Sequence, residues 1–243
     1  MAAVKRVYSA SDLVDAQLLA DSLADERIRT HLFNASAVGA MGDVPFGEAW
    51  PEVWIADERD LLLVFDEVQC GCGRTGKWFG YQHFGVVPDV MTLAKSLCAG
   101  VAGGAMLTTV ELAKHLRPGM HAATFGGNPV SAAAGVAALR MIDDEGLLGH
   151  VDRAAGWFRE RLSALKDRCD AVIDVRVIGM MIGVELSIDG AAVVQACLDR
   201  NLLVNSTQGR VIRLLPAMNI SEADVAEGCD KLSDAILEVA SRA

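Results

Sequence analysis

A chain of 243 residues can bury a substantial core, as one large domain or two small ones. With 52% hydrophobic and 22% charged residues it reads as globular and soluble. A net charge of −10 would repel a phosphate backbone and no basic stripe offsets it, so nucleic acid is excluded as a partner. No apolar run approaches the length of a membrane span, and Met1-Ala2-Ala3-Val4-Lys5-Arg6 lacks the apolar core of a signal peptide. No membrane association is expected, and the expected location is the cytoplasm.

The first sixty residues read as a unit of their own. Val4 to Tyr8 is a short strand, and Ser9-Ala10-Ser11-Asp12 is a helix-start signal. Leu13, Ala16, Leu19, Ala20 and Leu23 recur at helical spacing and give one apolar face. Strands are predicted at Thr30 to Asn34 and Glu52 to Ala56, with a turn-rich loop of Gly39, Gly42, Pro45 and Gly47 between them.

From Leu61 the character changes. The buried-strand run Leu61 to Phe65 ends in Asp66-Glu67-Val68-Gln69, and a second apolar run ends in Thr92-Leu93-Ala94-Lys95. Two ionisable groups of opposite sign thus stand at the carboxyl ends of apolar strands, the edge where open α/β sheets bind ligands. A lysine beside apolar surface is the kind of amine that desolvation turns into a nucleophile. A strand-end acid with a strand-end lysine is also what a pyridoxal phosphate site needs, a carboxylate for the ring nitrogen and an amine for the aldehyde. By pattern alone, however, a strand-end Asp is more often a turn or helix cap, and a lone Lys is usually solvated.

Six cysteines stand at 70, 72, 98, 169, 197 and 229. Cys70-Gly71-Cys72 is too tight for a zinc pair and has no second pair or His cluster to complete a tetrahedron, so no metal is expected and the thiols read as reduced packing groups.

After Pro129 the chain reads as a helix with Ala132, Val136, Leu139 and Ile142 on one face, and after Gly146 as a second amphipathic helix to Lys166. Strands at Val172 to Val177 and Met181 to Leu186 are joined at Gly179. A helix from Ala191, strands at Leu202 to Asn205 and Val211 to Leu215, and a terminal helix from Ser221 complete a small α/β domain. By pattern alone Arg213 is a surface charge at a strand edge.

These residues carry a family resemblance. Asp66-Glu67-Val68-Gln69, Gly71-Cys72-Gly73-Arg74-Thr75-Gly76, Pro88-Asp89, Thr92-Leu93-Ala94-Lys95 and Thr124-Phe125-Gly126-Gly127-Asn128-Pro129 together resemble the class III (ornithine-type) aminotransferases. Leu203-Val204-Asn205-Ser206-Thr207 followed by Val211-Ile212-Arg213-Leu214-Leu215-Pro216 is most similar to the acetylornithine branch. The resemblance covers residues 60 to 243. Residues 1 to 60, with Phe46, Trp50-Pro51-Glu52-Val53-Trp54 and Asp57, resemble instead a small bacterial signal-transducing domain with no assigned chemistry, and their junction with the aminotransferase strand reads as a fusion.

The resemblance implies an α/β fold in three parts: a βαββ module at 1–58, a partial fold type I large domain at 59–145, and a small α/β domain at 146–243. The implied cofactor is pyridoxal 5'-phosphate. Lys95 takes the place of the Schiff-base lysine that also moves the proton, Asp66 that of the partner of the pyridine nitrogen, and Gln69 that of the partner of the phenolic oxygen. Thr124 resembles the residue that reaches a dimer partner's phosphate, with Ala123 where the family usually has a hydroxyl. Arg213 resembles the arginine that takes the α-carboxylate of glutamate or 2-oxoglutarate, for which its planar fork is suited. Arg74 is expected to be structural.

The implied reaction is amino transfer from N-acetylornithine to 2-oxoglutarate in arginine biosynthesis. The family's phosphate turn, stacking aromatic and second carboxylate clamp have no counterpart in residues 1 to 60. Three outcomes therefore stay open: an active transaminase, an inactive truncated or fused remnant, and one part of a split enzyme. The partners expected are the amino donor, 2-oxoglutarate, and a second copy of the chain or a chain supplying the missing half.

Overall fold

The computed structural model describes residues 4–9, 30–33, 52–56, 62–120 and 123–242. They fall into two compact units, one of residues 1–65, 84–91 and 108–115, the other of residues 66–83, 92–107 and 116–243.

In the first unit, β1 (Val4–Ser9), β2 (Thr30–Phe33) and β3 (Glu52–Ala56) form an antiparallel sheet in the order β1-β3-β2. The register runs from Val4 opposite Ala56 to Ser9 opposite Glu52, with an irregularity between Arg6 and Tyr8. The three predicted strands are present; the helix expected over Leu13 to Leu23, the glycine-rich loop, Trp50 and the junction at 57–60 lie outside the described residues. Also in this unit, the Asp89 carboxylate accepts from Leu63 N at 2.7 Å, and Asp89 N and Val90 N donate back to Leu63 O. This reciprocal clasp explains the Pro88-Asp89 pair, because a proline fixes the turn that brings the acid to the strand. A four-residue helix, α1 (Val110–Ala113), is capped by the Thr109 hydroxyl.

A second three-stranded sheet has the order β4-β5-β6, formed by Val64–Asp66, Val90–Leu93 and Ala105–Thr108. The strand expected from Leu61 to Phe65 is thus shorter and begins later, since Leu63 spends its backbone groups on Asp89.

In the second unit, α2 (Pro129–Asp144) starts at Asn128, whose Oδ1 accepts from Val130 N and Ser131 N, with a proline at the first turn where no N–H is needed. Of the face predicted to be apolar and packed, Ile142 is buried and Leu139 half-buried, but Ala132 and Val136 are exposed. Helical spacing shows that one face is apolar, not that something covers it. Gly146 then turns the chain at φ 60° into α3 (Leu147–Lys166), which buries Val151, Ala154, Ala155, Phe158, Leu162 and Leu165 along one face.

The last hundred residues form an antiparallel sheet, β7 (Val172–Ile178), β8 (Met181–Leu186), β9 (Asn205–Thr207) and β10 (Val211–Leu214), in the order β7-β8-β10-β9. Helix α3 packs on β7, and α4 (Gly190–Leu198) and α5 (Glu222–Ala240) pack on one another. The Asp189 and Ser221 side chains cap these last two helices. Leu162, Leu165, Ile182, Val184, Leu186, Ile212, Leu232 and Ile236 meet in one core from which water is excluded. Burying each such side chain contributes roughly 1.5–3 kcal/mol.

Two strand predictions need correction. The strand expected at Leu202 to Asn205 begins only at Asn205, because Leu203 is 87% exposed and pairing with β10 starts at Asn205 opposite Arg213. Arg213 is not at a sheet edge: β10 is an inner strand, with β8 on one side and β9 on the other.

Candidate active site

All five predicted site residues belong to the second unit. Asp66 is the last residue of β4, and its exposed carboxylate is oriented from two sides. Oδ1 accepts from Val68 N at 3.0 Å, which closes a tight turn of its own, and from Thr92 Oγ1 at 3.3 Å. Glu67 N donates to Thr92 O at 3.0 Å, so β5 holds the turn by backbone and side chain together.

The residue that organises this turn is one the motif reading passes over. Glu67 is only 3% exposed, and its carboxylate accepts from Gly80 N at 2.9 Å and Tyr81 N at 2.7 Å, at the start of the 3-10 turn Gly80–His83. A buried carboxylate persists where charge-assisted hydrogen bonds replace its hydration. Glu67 therefore clasps the loop 67–81 shut and fixes the direction of Asp66 before it and Gln69 after it. Its signal in the sequence is weak: an acid between Phe65 and the glycine run, with a partner thirteen residues on. Burial, together with the Glu67 hydrogen bond and charge, pushes the neighbouring Cys70 thiol up to about 12, which keeps it protonated.

The clasped loop is docked on the small domain. Arg74 donates from Nη1 to Pro216 O at 2.5 Å, and Met180 N donates to Arg74 O at 2.9 Å. A β-carbon on Gly179, at φ 54°, would stand 2.5 Å from the Thr75 carbonyl carbon, and one on Gly76, at φ 86°, would stand 2.0 Å from Asp152 Oδ1. At Gly179 the obstacle is backbone, so only glycine allows the approach, and at Gly76 the positive φ favours glycine although the Asp152 carboxylate could turn aside. The structural role expected for Arg74 is what this geometry gives it. Pro216 closes the strand that carries Arg213.

Lys95 lies two residues beyond β5, at the start of the 3-10 turn Lys95–Cys98, with φ at 45°. A non-glycine residue in the left-handed region costs of order 1–3 kcal/mol and persists only where its surroundings impose it. Its exposed side chain borders an open hollow of about 540 Å³ lined otherwise by Ser96 and the small residues of 99–103. Ser131 Oγ donates to Ala102 O at 2.6 Å, which ties this lip to the first turn of α2.

The other predicted residues are less connected. Gln69 is half-buried in the turn after Asp66, and Thr124 is exposed in the loop that leads to α2. Arg213 projects from β10, and its Nε donates to Asn205 Oδ1 at 3.3 Å. Among the described residues, no hydrogen bond or ion pair joins Asp66, Gln69, Lys95, Thr124 and Arg213 to one another. Among the described residues, no group of three or more His, Cys, Asp or Glu is disposed to hold a metal ion, and no helix is long and apolar enough to cross a membrane.

Comparison with known proteins decides the family. The profile of the family described as Aminotransferase class-III matches residues 23–236. The chain belongs to the class III aminotransferases. Among curated members of the family, acetylornithine aminotransferase of Caldanaerobacter subterraneus subsp. tengcongensis is 43% identical over 186 residues, 76% of this chain and 47% of the relative. That of Methanothermobacter thermautotrophicus is 36% identical over 225 residues, 93% of this chain and 58% of the relative. The solved ornithine aminotransferase of Toxoplasma gondii is matched with a TM-score of 0.71 at 32% identity, over 75% of this chain and 45% of that one. Acetylornithine aminotransferase of Elizabethkingia anophelis gives 0.69 and 32%, over 73% and 46%. The α/β fold of this class III chain is that of the fold type I aminotransferases, and the chain spans about half the length of the relatives it matches. The family match takes in residues 23–58, part of the segment read above as a separate module.

Pyridoxal phosphate is the cofactor of this family. The donor set suits it. The ring nitrogen needs a carboxylate and the aldehyde carbon an amine, and Asp66 and Lys95 are both exposed. The hollow beside Lys95 is open to solvent and bordered mostly by small residues, and Asp66 is not among those that line it.

Proposed function

We propose that this chain carries the cofactor-holding and carboxylate-binding parts of a transaminase that exchanges an amino group between N-acetylornithine and 2-oxoglutarate, a step of arginine biosynthesis, in the cytoplasm. Pyridoxal phosphate, when bound, supplies the electron sink of such a reaction. Lys95 would hold it through its ε-amine and afterwards move the proton at the carbon that bears the transferred amino group, the terminal carbon of N-acetylornithine and the α-carbon of glutamate, as general acid and base. Asp66, oriented by Val68 N and Thr92 Oγ1, pairs with the ring nitrogen and keeps it protonated. Gln69 hydrogen-bonds the phenolic oxygen, Thr124 offers its hydroxyl to a phosphate, and Arg213 takes the α-carboxylate of the 2-oxo acid. In this reading residues 59–145 bear the cofactor, 146–243 form the small domain, and 1–58 carry the β1-β3-β2 sheet.

The observation that carries the reading is the pairing of a strained, exposed Lys95 just after β5 with an Asp66 anchored to Thr92 of that same strand. The names of the relatives supply the donor. The test is the visible absorbance of the purified protein with added pyridoxal phosphate, followed by borohydride reduction and peptide mapping. Cofactor fixed on Lys95 in the wild type and lost in Lys95→Ala is the expected result, with turnover of acetylornithine as the next assay. Capture unchanged in Lys95→Ala overturns the assignment.

A second reading is favoured by one observation. Met120, Phe125 and Val130 are exposed in the loop and first turn that carry Thr124, and Phe125 is 78% exposed. In this reading the site is completed by another chain, a second copy or a separate polypeptide, and is silent without it. A monomer by light scattering that captures no cofactor, but gains capture when that chain is added, is its signature.

A further inference from the structure

Arg213 lies in a row of residues that runs straight across the sheet: Arg176 on β7, Gly183 on β8, Arg213 on β10 and Asn205 on β9 are register partners in turn. The two arginines of this row are treated differently. Arg176 Nη1 is 3.2 Å from Asp174 and 2.8 Å from Glu185, so its charge is neutralised. Those carboxylates are shared in turn with Lys166 and Arg210, each at 3.5 Å. Arg213 has no carboxylate partner among the described residues. Its side-chain partner is the neutral amide of Asn205, whose Oδ1 accepts a hydrogen bond from Nε. Gly183 between the arginines has no side chain to offer either of them.

We infer that Asn205 is a positioning residue for Arg213, one that fixes the guanidinium without discharging it. This rests on the reading of Arg213 given under the proposed function. A guanidinium presents two bidentate edges, one of Nε with an Nη and one of the two Nη groups. Because a guanidinium only donates, the atom of Asn205 facing it must be the amide oxygen, and that bond takes the Nε edge out of use. The edge left for a ligand carboxylate is Nη1/Nη2, and the orientational freedom that a bare arginine would lose on binding is already spent. An amide does this and an acid could not: aspartate at 205 would hold the same nitrogen but satisfy the charge that the substrate has to meet.

The test is titration calorimetry of 2-oxoglutarate into the full chain, with thermal melts alongside and the arginine Nε–H signals read by NMR. Asn205→Ala is expected to weaken 2-oxoglutarate binding by about 5-fold, the scale of one lost hydrogen bond, and to abolish the protection of the Arg213 Nε–H. Asn205→Asp is expected to weaken binding further, by about 30-fold, while melting no lower than the wild type. A role in stability alone would make binding and melting move together. Wild-type protein without affinity for 2-oxoglutarate removes the assignment of Arg213 itself. Wild-type affinity left unchanged in Asn205→Ala, or retained in Asn205→Asp, removes the role of Asn205 and leaves Arg213 in place.

Discussion

From Leu147 to Ala240 most of the large apolar side chains face one another, with Ile173, Leu198 and Leu203 among the exceptions, whereas from Val101 to Met141 many of them face out. Among the described residues, all of the largest fully buried side chains, Leu162, Met180, Ile212 and Ile236 among them, belong to the C-terminal stretch. Val101, Met106, Leu116, Met120, Phe125, Val130, Val136 and Met141, exposed large hydrophobics, belong to the stretch between Lys95 and the end of α2. Apolar area left in water contributes nothing to stability. The C-terminal α/β domain is therefore held by packing, and the candidate site by directional bonds: the clasp of Glu67, the anchor of Arg74 and the tie of Ser131.

The largest expected effect follows from the packed side. Leu162 is fully buried in α3 among the side chains of the C-terminal core. Leu162→Ala should cost about 2–5 kcal/mol in urea unfolding, the range for a buried leucine cut to a methyl. A loss below about 1 kcal/mol would mean that this core is looser than its burial implies.

Next comes the bonded side. Glu67→Ala leaves the buried Gly80 N–H without an acceptor, at a cost on the order of 1–3 kcal/mol, while the N–H of half-buried Tyr81 can turn to water, and it releases the turn that aims Asp66. Glu67→Gln keeps one acceptor and should lose about half as much. If the alanine variant captured pyridoxal phosphate as well as the wild type, Glu67 would have no part in orienting the site.

A smaller effect depends on pH. Burial and the neighbouring Lys77 hold the His83 ring below its usual value, while its hydrogen bond to Thr75 O and the charges of Asp152 and Glu67 act the other way. The neutral ring is thus favoured in the fold. As pH falls below about 6.5, the unfolded chain takes up the proton first, so this contribution to stability is complete above that pH and is lost below it. Urea midpoints measured between pH 7.5 and 5.5 should fall more steeply for the wild type than for His83→Gln; parallel curves would remove His83 as the cause.

How much of this was legible in the sequence follows the same division. Helices α3 and α5 and the hairpin β7-β8 were readable because their apolar periodicity coincides with what is buried. The motif residues Asp66 and Lys95 were readable as types at the end of β4 and just past the end of β5. Strand β9 was misplaced because the apolar run Leu202-Leu203-Val204 looks like a strand, whereas pairing with β10 selects the polar Asn205-Ser206-Thr207. Partnership across a sheet is not written in local hydrophobicity. Glu67 and Asn205 were overlooked for the same reason, since each is defined by a partner distant in sequence, the N–H groups of Gly80 and Tyr81 for one and Arg213 for the other.

The smallest effect is the sharpest check on the comparison. Val136 and Leu162 occupy apolar helical positions of the same apparent kind, and a helical wheel would give them equal weight. Val136 is 50% exposed on α2, however, and Leu162 is buried on α3. Val136→Ser should therefore change stability by no more than about 0.5 kcal/mol, and by removing apolar surface from an exposed stretch it should make the protein less prone to associate. A large loss of stability in Val136→Ser would mean that in solution this face of α2 is covered after all. Under that result the same substitution should also shift the mass measured by light scattering toward the monomer, because the cost would come from a contact with another chain and not from the helix itself.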